Sequence, residues 1–185
     1  MKFGSFDKDG NTIPHDYGDV YFLQPCGESS RLVVGPSSRH IAILDALAAT
    51  FAEQRYYLLY VLLLSHAGRE PGRFQSPVVD SHEDLQLFIW TFQNFLEQDG
   101  RHHLWISAAD SSQLLVYDQH NVIFAYGDDG RFESVLKNMG FKEEAFWFPS
   151  PHFHGYEPSS SNAENELISY FNWQRFDLQL GDEWD

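Results

Sequence analysis

Two histidines stand two residues apart in a proline-bracketed segment, PSPHFHGYEP, at positions 149–158. In an extended backbone, residues two apart point to the same side. The imidazoles of His152 and His154 can therefore share one metal ion, as imidazoles do for zinc or iron. The prolines offer a simpler interpretation, in which a stiff turn packs both rings on Trp147 or Phe153. The sequence favours that turn, and a metal site is the alternative.

A catalytic metal site needs a third protein ligand and an open coordination position. No third ligand follows His152 and His154 at a short, regular spacing, so it would have to come from another strand. Three histidines and one aspartate are available for this role: His102, His103, His120 and Asp118.

The stretch YDQHN places Asp118 two residues before His120. A carboxylate that orients an imidazole is the core of many acid–base sites. The sequence places no serine or cysteine nucleophile beside this pair, and Asp, Gln and Asn are also common hairpin-turn residues. A turn is favoured, and a small hydrolase that uses Asp118, His120, His152 and His154 is the alternative.

Two arginines, Arg69 and Arg73, lie in a glycine-bearing loop at positions 68–77. Arginine side chains on a loop can bind an anion through forked hydrogen bonds. The alternative is that both arginines pair with nearby acids, such as Glu70 or the acidic start of the next helix.

The chain carries 27 acidic and 12 basic residues, for a formal net charge of −15. Such a surface repels phosphate backbones, which argues against nucleic-acid binding. It attracts basic proteins and accelerates their association. The expected partner surface combines acids with anchoring aromatics, and its members are Asp80, Glu83, Asp84, Glu97, Asp99, Trp173 and Trp184.

The common sequence-local signatures of enzymes and cofactor sites are missing, including the P-loop, the dinucleotide fingerprint and the zinc-protease helix motif. We therefore expect no cofactor. A single cysteine, Cys26, fits a reducing compartment. The first residues contain no apolar signal region, and the longest apolar run, 56–64, is far shorter than the ~20 residues of a membrane span. These observations predict a soluble, cytoplasmic protein.

Hydrophobic patterning predicts one α+β domain over residues 1–185, with a mostly antiparallel sheet and helices packed mainly on one face. An acidic C-terminal arm is expected from about residue 157. The run 56–64 is interpreted as a buried strand, with a helix as the alternative. Predicted helices cover 36–54 (capped by Ser37 or Ser38), 80–100 (capped by Asp80), 128–141 and 162–176. Further predicted strands cover 19–25, 31–35, 102–108, 113–127 as a hairpin, and 143–148.

These features favour a non-enzymatic cytoplasmic protein that binds a basic protein. An immunity protein or antitoxin that neutralises a nuclease toxin has this general character. The alternative function is a small hydrolase or metal-dependent enzyme with a histidine–aspartate site.

Overall fold

The computed structural model describes residues 1–65, 67–127, 129–157 and 160–182. Within these ranges the chain forms an α+β fold with twelve strands and five helices. The helices are α1 (His40–Ala48), α2 (His82–Thr91), α3 (Gln93–Gln98), α4 (Asp129–Asn138) and α5 (Ser160–Tyr170). The predicted fold class is confirmed.

Nine strands form a large sheet in the order β10-β3-β4-β9-β8-β7-β5-β6-β12, with neighbours antiparallel except for the parallel pair β10–β3. The strands are β3 (Val20–Cys26), β4 (Ser29–Gly35), β5 (Tyr56–Leu62), β6 (Gly72–Gln75), β7 (His102–Ala108), β8 (Leu114–Tyr117), β9 (Ile123–Tyr126), β10 (Lys142–Glu143) and β12 (Gln174–Phe176). A small sheet, which the sequence did not predict, has the order β11-β1-β2. Its strands are β1 (Phe3–Phe6), β2 (Thr12–Pro14) and β11 (His152–His154).

The apolar run at 56–64 forms β5, which lies between β6 and β7 in the large sheet. Leu58 and Tyr60 are fully buried in one core cluster with Leu44 of α1 and Phe88 of α2. The strand interpretation of this run is therefore confirmed, because a strand with neighbours on both edges and a helix layer above it needs apolar residues almost throughout.

The beginnings of two helices differ from the sequence expectations. The N-cap residue of helix α1 is Arg39, whose backbone is left-handed (φ 62°) and whose side chain makes no capping hydrogen bond, so neither Ser37 nor Ser38 has that role. Helix α2 is capped by Ser81 rather than Asp80, because the Ser81 side chain accepts a hydrogen bond from the Asp84 amide.

The helix expected at 80–100 is two helices, α2 and α3, separated at Phe92 (φ −100°, ψ 11°). The Thr91 hydroxyl donates a hydrogen bond to the Leu87 carbonyl at 2.6 Å. Such a back-bond competes with the helical hydrogen-bond ladder and favours a bend, which accounts for the break one residue later.

The strand expected at 143–148 is also corrected. Only Lys142–Glu143 pair with β3, and the last backbone bond to that strand runs from the Glu144 amide to the Tyr21 carbonyl. Phe146 then leaves the ladder and packs over Gly35, where a Cβ atom would lie 2.9 Å from the Phe146 ring.

The expected C-terminal arm is part of the folded body as far as the structure describes it. Leu167 of α5 is fully buried in the main core, and β12 pairs with β6 at the edge of the large sheet. Residues 174–176, expected to be helical, form this edge strand. None of the helices in the described ranges is long and apolar enough to cross a membrane.

The small sheet is joined to the rest of the molecule at a close backbone approach. The Gly100 amide donates to the Gly155 carbonyl at 2.8 Å, and the Gly155 amide donates to the Lys2 carbonyl at 2.9 Å. A Cβ atom at Gly100 would lie 2.4 Å from the Lys2 carbonyl oxygen and 3.0 Å from the His154 Cβ. Only glycine therefore lets these backbone segments meet.

We predict that Gly100→Ala lowers the free energy of unfolding by about 2 kcal/mol, because the added methyl forces backbone segments apart. Gly130→Ala is the matched control, since a Cβ atom at this position in α4 meets nothing within 4 Å. The control should be neutral or stabilising by up to ~1 kcal/mol. Urea denaturation measures both, and equal effects would contradict the proposed close approach.

Candidate metal centre

The small sheet presents His152 and His154 on one side of β11. This strand pairs antiparallel with β1 in a register that sets Phe3 opposite His154 and Ser5 opposite His152. Phe153, between the two histidines, points to the other side and packs on the ring of Phe6 at 5.6 Å. The side chains of β11 therefore alternate between the two sides of the strand, as expected of an extended segment.

The turn between β8 and β9 supplies a third histidine, His120. Asp118 shapes this turn, because its Oδ1 accepts hydrogen bonds from the His120 and Val122 amides at 2.9 and 3.1 Å. Asn121 takes a left-handed conformation (φ 61°), which asparagine tolerates well. The predicted hairpin is confirmed, and its turn carries the histidine into the site.

The packing of the small sheet brings the three imidazoles together. One ring nitrogen from each of His120, His152 and His154 lies within 4.8 Å of the others. The ring centroids are 4.9 to 5.3 Å apart. We call these three residues the three-histidine centre. Of the three remaining candidates for the third ligand, none belongs to it.

Each imidazole of the three-histidine centre is oriented by a hydrogen bond at its Nδ1. The partners are an acidic or carbonyl oxygen in every case, so each Nδ1 carries the proton and Nε2 keeps its lone pair. The bonds are His120 Nδ1 to Asp118 Oδ2 at 2.8 Å, His152 Nδ1 to the Pro149 carbonyl at 3.1 Å and His154 Nδ1 to the Gln119 carbonyl at 3.2 Å. The His154 Nε2 is buried and has no hydrogen-bond partner among the residues the structure describes.

One side of the three-histidine centre is dry. The Phe3 ring, 1% exposed, lies 5.3 to 5.5 Å from all three imidazole rings. Tyr17 lies between β2 and β3, and its hydroxyl donates to the His120 carbonyl at 3.1 Å and so holds the β8–β9 turn in place. His120 is buried, whereas His152 and His154 are half-buried, so the centre opens to solvent away from Phe3.

Burial and neighbouring charges set the protonation states. Burial, together with the nearby His120 and His152 imidazoles, lowers the pKa of His154 to about 4. Burial alone would raise the pKa of Asp118, but hydrogen bonds and the His120 and His103 imidazoles bring it below its ordinary value. At neutral pH His154 is therefore a neutral ligand, and Asp118 is an anion behind His120.

This arrangement is chemically that of a metal ligand set. Histidines bound to metals almost always direct the second ring nitrogen to a carboxylate or carbonyl, as all three do here. Structural zinc sites usually have four protein ligands, whereas three histidines leave a position for water or substrate. The three-histidine centre can therefore hold a zinc-like ion with one open position.

The other two histidines considered as ligands lie elsewhere. His102 faces the helices, with its ring 4.9 Å from Phe95 and 5.2 Å from Tyr60, and burial lowers its pKa well below the usual value. His103, on the opposite face of β7, has a pKa lowered to about 4, mainly by burial.

The two arginines of the expected 68–77 loop have separate partners, and Arg73 lies in strand β6 rather than in a loop. Arg73 forms a forked pair with Asp182 at 2.8 and 2.7 Å, and Arg69 donates to the Asn165 side chain at 3.0 Å. The alternative interpretation, in which the arginines pair with acids, holds for Arg73. Its partner is Asp182 and not Glu70. Glu70 pairs instead with Arg175 at 3.3 Å.

Only some members of the expected acidic and aromatic surface are exposed in the structure. Asp99 is fully buried and ion-paired with Arg101, and one Glu97 carboxylate oxygen accepts the Ile41 amide at 2.8 Å. Trp173 packs on the core and donates to the Leu167 carbonyl at 3.1 Å. Trp184 lies outside the described residues. The remaining exposed members cluster at the start of α2: Asp80, Glu83 and Asp84.

Two apolar residues of α2 lie on the surface, although the sequence patterns above did not identify them as surface residues. Leu87 is 61% exposed and Trp90 is 42% exposed. Glu83, Leu87 and Trp90 follow the i, i+4, i+7 spacing that places residues on one helix face. Helical spacing also separates them from the buried stripe that includes Phe88, so the signal was present in the sequence.

No protein-family model, no curated protein and no solved structure matches this chain. The function of the protein is therefore inferred from the three-histidine centre and from the surface of α2.

We predict that Asp118→Asn weakens zinc binding about 10- to 100-fold, because the amide no longer supplies the charge that orients and polarises His120. Competition against a chromogenic chelator measures this affinity. Asp110→Asn, at an exposed aspartate paired with Arg55, should leave it unchanged. Equal zinc affinity of the Asp118 variant and the parent protein would contradict this role for Asp118.

Proposed function

We propose that this chain binds a divalent transition-metal ion of the zinc class through the three-histidine centre and serves as a metal-dependent hydrolase. The observation that supports it most is the orientation of the three imidazoles. Each Nδ1 donates to a fixed oxygen, and a ring nitrogen of each residue lies within 4.8 Å of the others.

The reaction class is inferred from the number of ligands. A zinc ion with three histidine ligands and an open position lowers the pKa of a bound water to about 7, which supplies hydroxide at neutral pH. In this proposal His120, His152 and His154 bind the ion, and Asp118 orients His120. Phe3 excludes water from the closed side, where charge interactions are strengthened by the low local dielectric.

The metal would also connect the two sheets. His152 and His154 belong to the small sheet, whereas His120 belongs to a turn of the large one. An ion bound only by the folded arrangement stabilises the fold by mass action, by about 2.7 kcal/mol at a free concentration of 100 Kd.

We predict that untagged protein binds one zinc ion and that saturating zinc raises its Tm by about 5–10 °C, as that linkage implies for a chain of this size. Calorimetric titration and thermal unfolding measure the two quantities. Replacing His120, His152 or His154 with alanine should remove most of both effects. His15→Ala is the control, because the His15 ring also lies near Phe3, at 5.8 Å, but outside the centre. An equal loss in that control, or no bound metal, would refute the proposal.

A second candidate function is the binding of a basic protein in the cytoplasm, as an immunity protein or antitoxin binds a nuclease toxin. The observation that favours it is the combination of acids with exposed apolar side chains along one surface. We call this surface the α2 face, and it consists of Asp80, Glu83, Asp84, Leu87 and Trp90. Charge would steer a basic partner toward the face, and Leu87 and Trp90 would anchor it.

We predict that the α2 face binds a synthetic amphipathic helix of leucine and lysine, with an affinity that falls as salt is added. Glu83→Lys should weaken binding about 10-fold at low salt and flatten the salt dependence, since it reverses a steering charge. Leu87→Ala should weaken binding without changing the salt dependence. Glu28→Lys, at an exposed glutamate in the β3–β4 turn, controls for net charge. If it weakens binding as much as Glu83→Lys, the peptide recognises total charge and not this face.

A further inference from the structure

The chain between β10 and β11 borders the three-histidine centre with exposed aromatic side chains. Phe148 is 46% exposed, and its ring lies 4.9 Å from the His120 ring. Trp147, the preceding residue, is 84% exposed. Large aromatic side chains usually bury ~150–250 Å². The exposed Phe148 ring beside the three-histidine centre therefore points to an apolar group that would cover this ring when a substrate binds.

This aromatic pair stands on an anchored support. Phe146 packs between Tyr17 at 4.6 Å and Phe22 at 5.3 Å. The Glu144 amide binds the Tyr21 carbonyl at 2.9 Å before the pair, and the Pro149 carbonyl accepts from His152 after it. Anchors on both sides fix the backbone at Trp147 and Phe148, so their exposure is a property of the fold.

The three-histidine centre is closed on one side and exposed to solvent on the other, as a substrate site requires. Phe3 closes one side and is 1% exposed, whereas Phe148 contacts His120 and remains open to solvent. In the metal-bound form proposed above, a molecule on the solvent side of the centre would meet the exposed Phe148 ring. The charge of the whole chain, −15, disfavours polyanionic substrates such as nucleic acids, and an aromatic surface favours a neutral apolar group.

We propose that Phe148 forms an apolar subsite that determines substrate specificity by binding the acyl or aryl group of a neutral ester or amide. This proposal rests on the metal-dependent hydrolysis proposed above. In the reaction, the oxygen of water bonds to the carbonyl carbon, and the carbon–oxygen or carbon–nitrogen bond breaks. The released proton goes to the leaving group, which gives a carboxylic acid and an alcohol or amine.

Two hydroxamates of different size test the subsite without a known substrate. Both acetohydroxamate and benzohydroxamate bind metals through the same atoms, and only the second carries an aryl group. Titration of the Co²⁺-loaded protein, followed by its visible absorption, gives a Kd for each. The ratio of the two values within one variant cancels any change in metal affinity.

We expect the parent protein to prefer benzohydroxamate about 10-fold, as expected for one well-placed aromatic contact. Phe148→Ala should reduce the preference to threefold or less. Phe176→Ala is the matched control, because Phe176 is 41% exposed on the edge strand β12, and it should keep the full preference.

An unchanged ratio in Phe148→Ala, or no preference in the parent protein, would overturn the subsite while metal binding stands. A protein that takes up no Co²⁺ at the three-histidine centre would overturn the proposed function as well, so the two failures can be distinguished.

Discussion

The hydrogen bond between His120 Nδ1 and the buried carboxylate of Asp118 is the interaction on which the three-histidine centre depends. It determines which nitrogen of His120 carries the proton and which keeps its lone pair. The same carboxylate also binds two amides of the turn, so the orientation of the ring and the shape of the hairpin have one cause. The small sheet contacts this turn through His154, whose Nδ1 donates to the Gln119 carbonyl. The Tyr17 hydroxyl, from the segment between β2 and β3, donates to the His120 carbonyl of the same turn. Hydrogen bonds are strengthened where water is excluded, so these contacts favour one geometry of the turn and the Nδ1 side of its imidazole.

The two proposed functions use opposite faces of the large sheet. Phe88 of α2 packs in the main core with Leu58 and Tyr60, whereas Phe3 of the small sheet belongs to a separate core cluster with Val33 and Val122. Binding of a basic protein at the α2 face therefore leaves the three-histidine centre open. Neutralisation of a partner and hydrolysis of a substrate are alternative functions for this protein. The fold nevertheless presents both surfaces.

Local sequence patterns predict much of the fold, but they do not predict the three-histidine centre. The almost continuous apolar run of β5 and the alternation in β7 predict central strands, because burial on one or both faces leaves that signature in any context. The spacing of His152 and His154 predicts two rings on one side of a strand, and the Asp118–His120 spacing predicts a hairpin turn. The His152–His154 pair meets His120 because β1 and β11, which are far apart in the sequence, pair with each other. The meeting also requires Gly100, which permits the close approach of Lys2 and Gly155. Such long-range packing has no local signature. The burial of Asp99 was missed for the same reason, since nothing in the local pattern distinguishes the buried Asp99 from the exposed Asp80.

The most direct test of the account is X-ray absorption spectroscopy at the zinc edge on untagged protein loaded with one zinc ion. The account predicts three imidazole nitrogens and one further light atom at about 2.0–2.1 Å, with the outer-shell scattering that imidazole rings produce. His120→Ala should reduce the imidazole count to two. A spectrum with a sulfur ligand, or with one imidazole or none, would contradict the central claim that His120, His152 and His154 bind one metal ion.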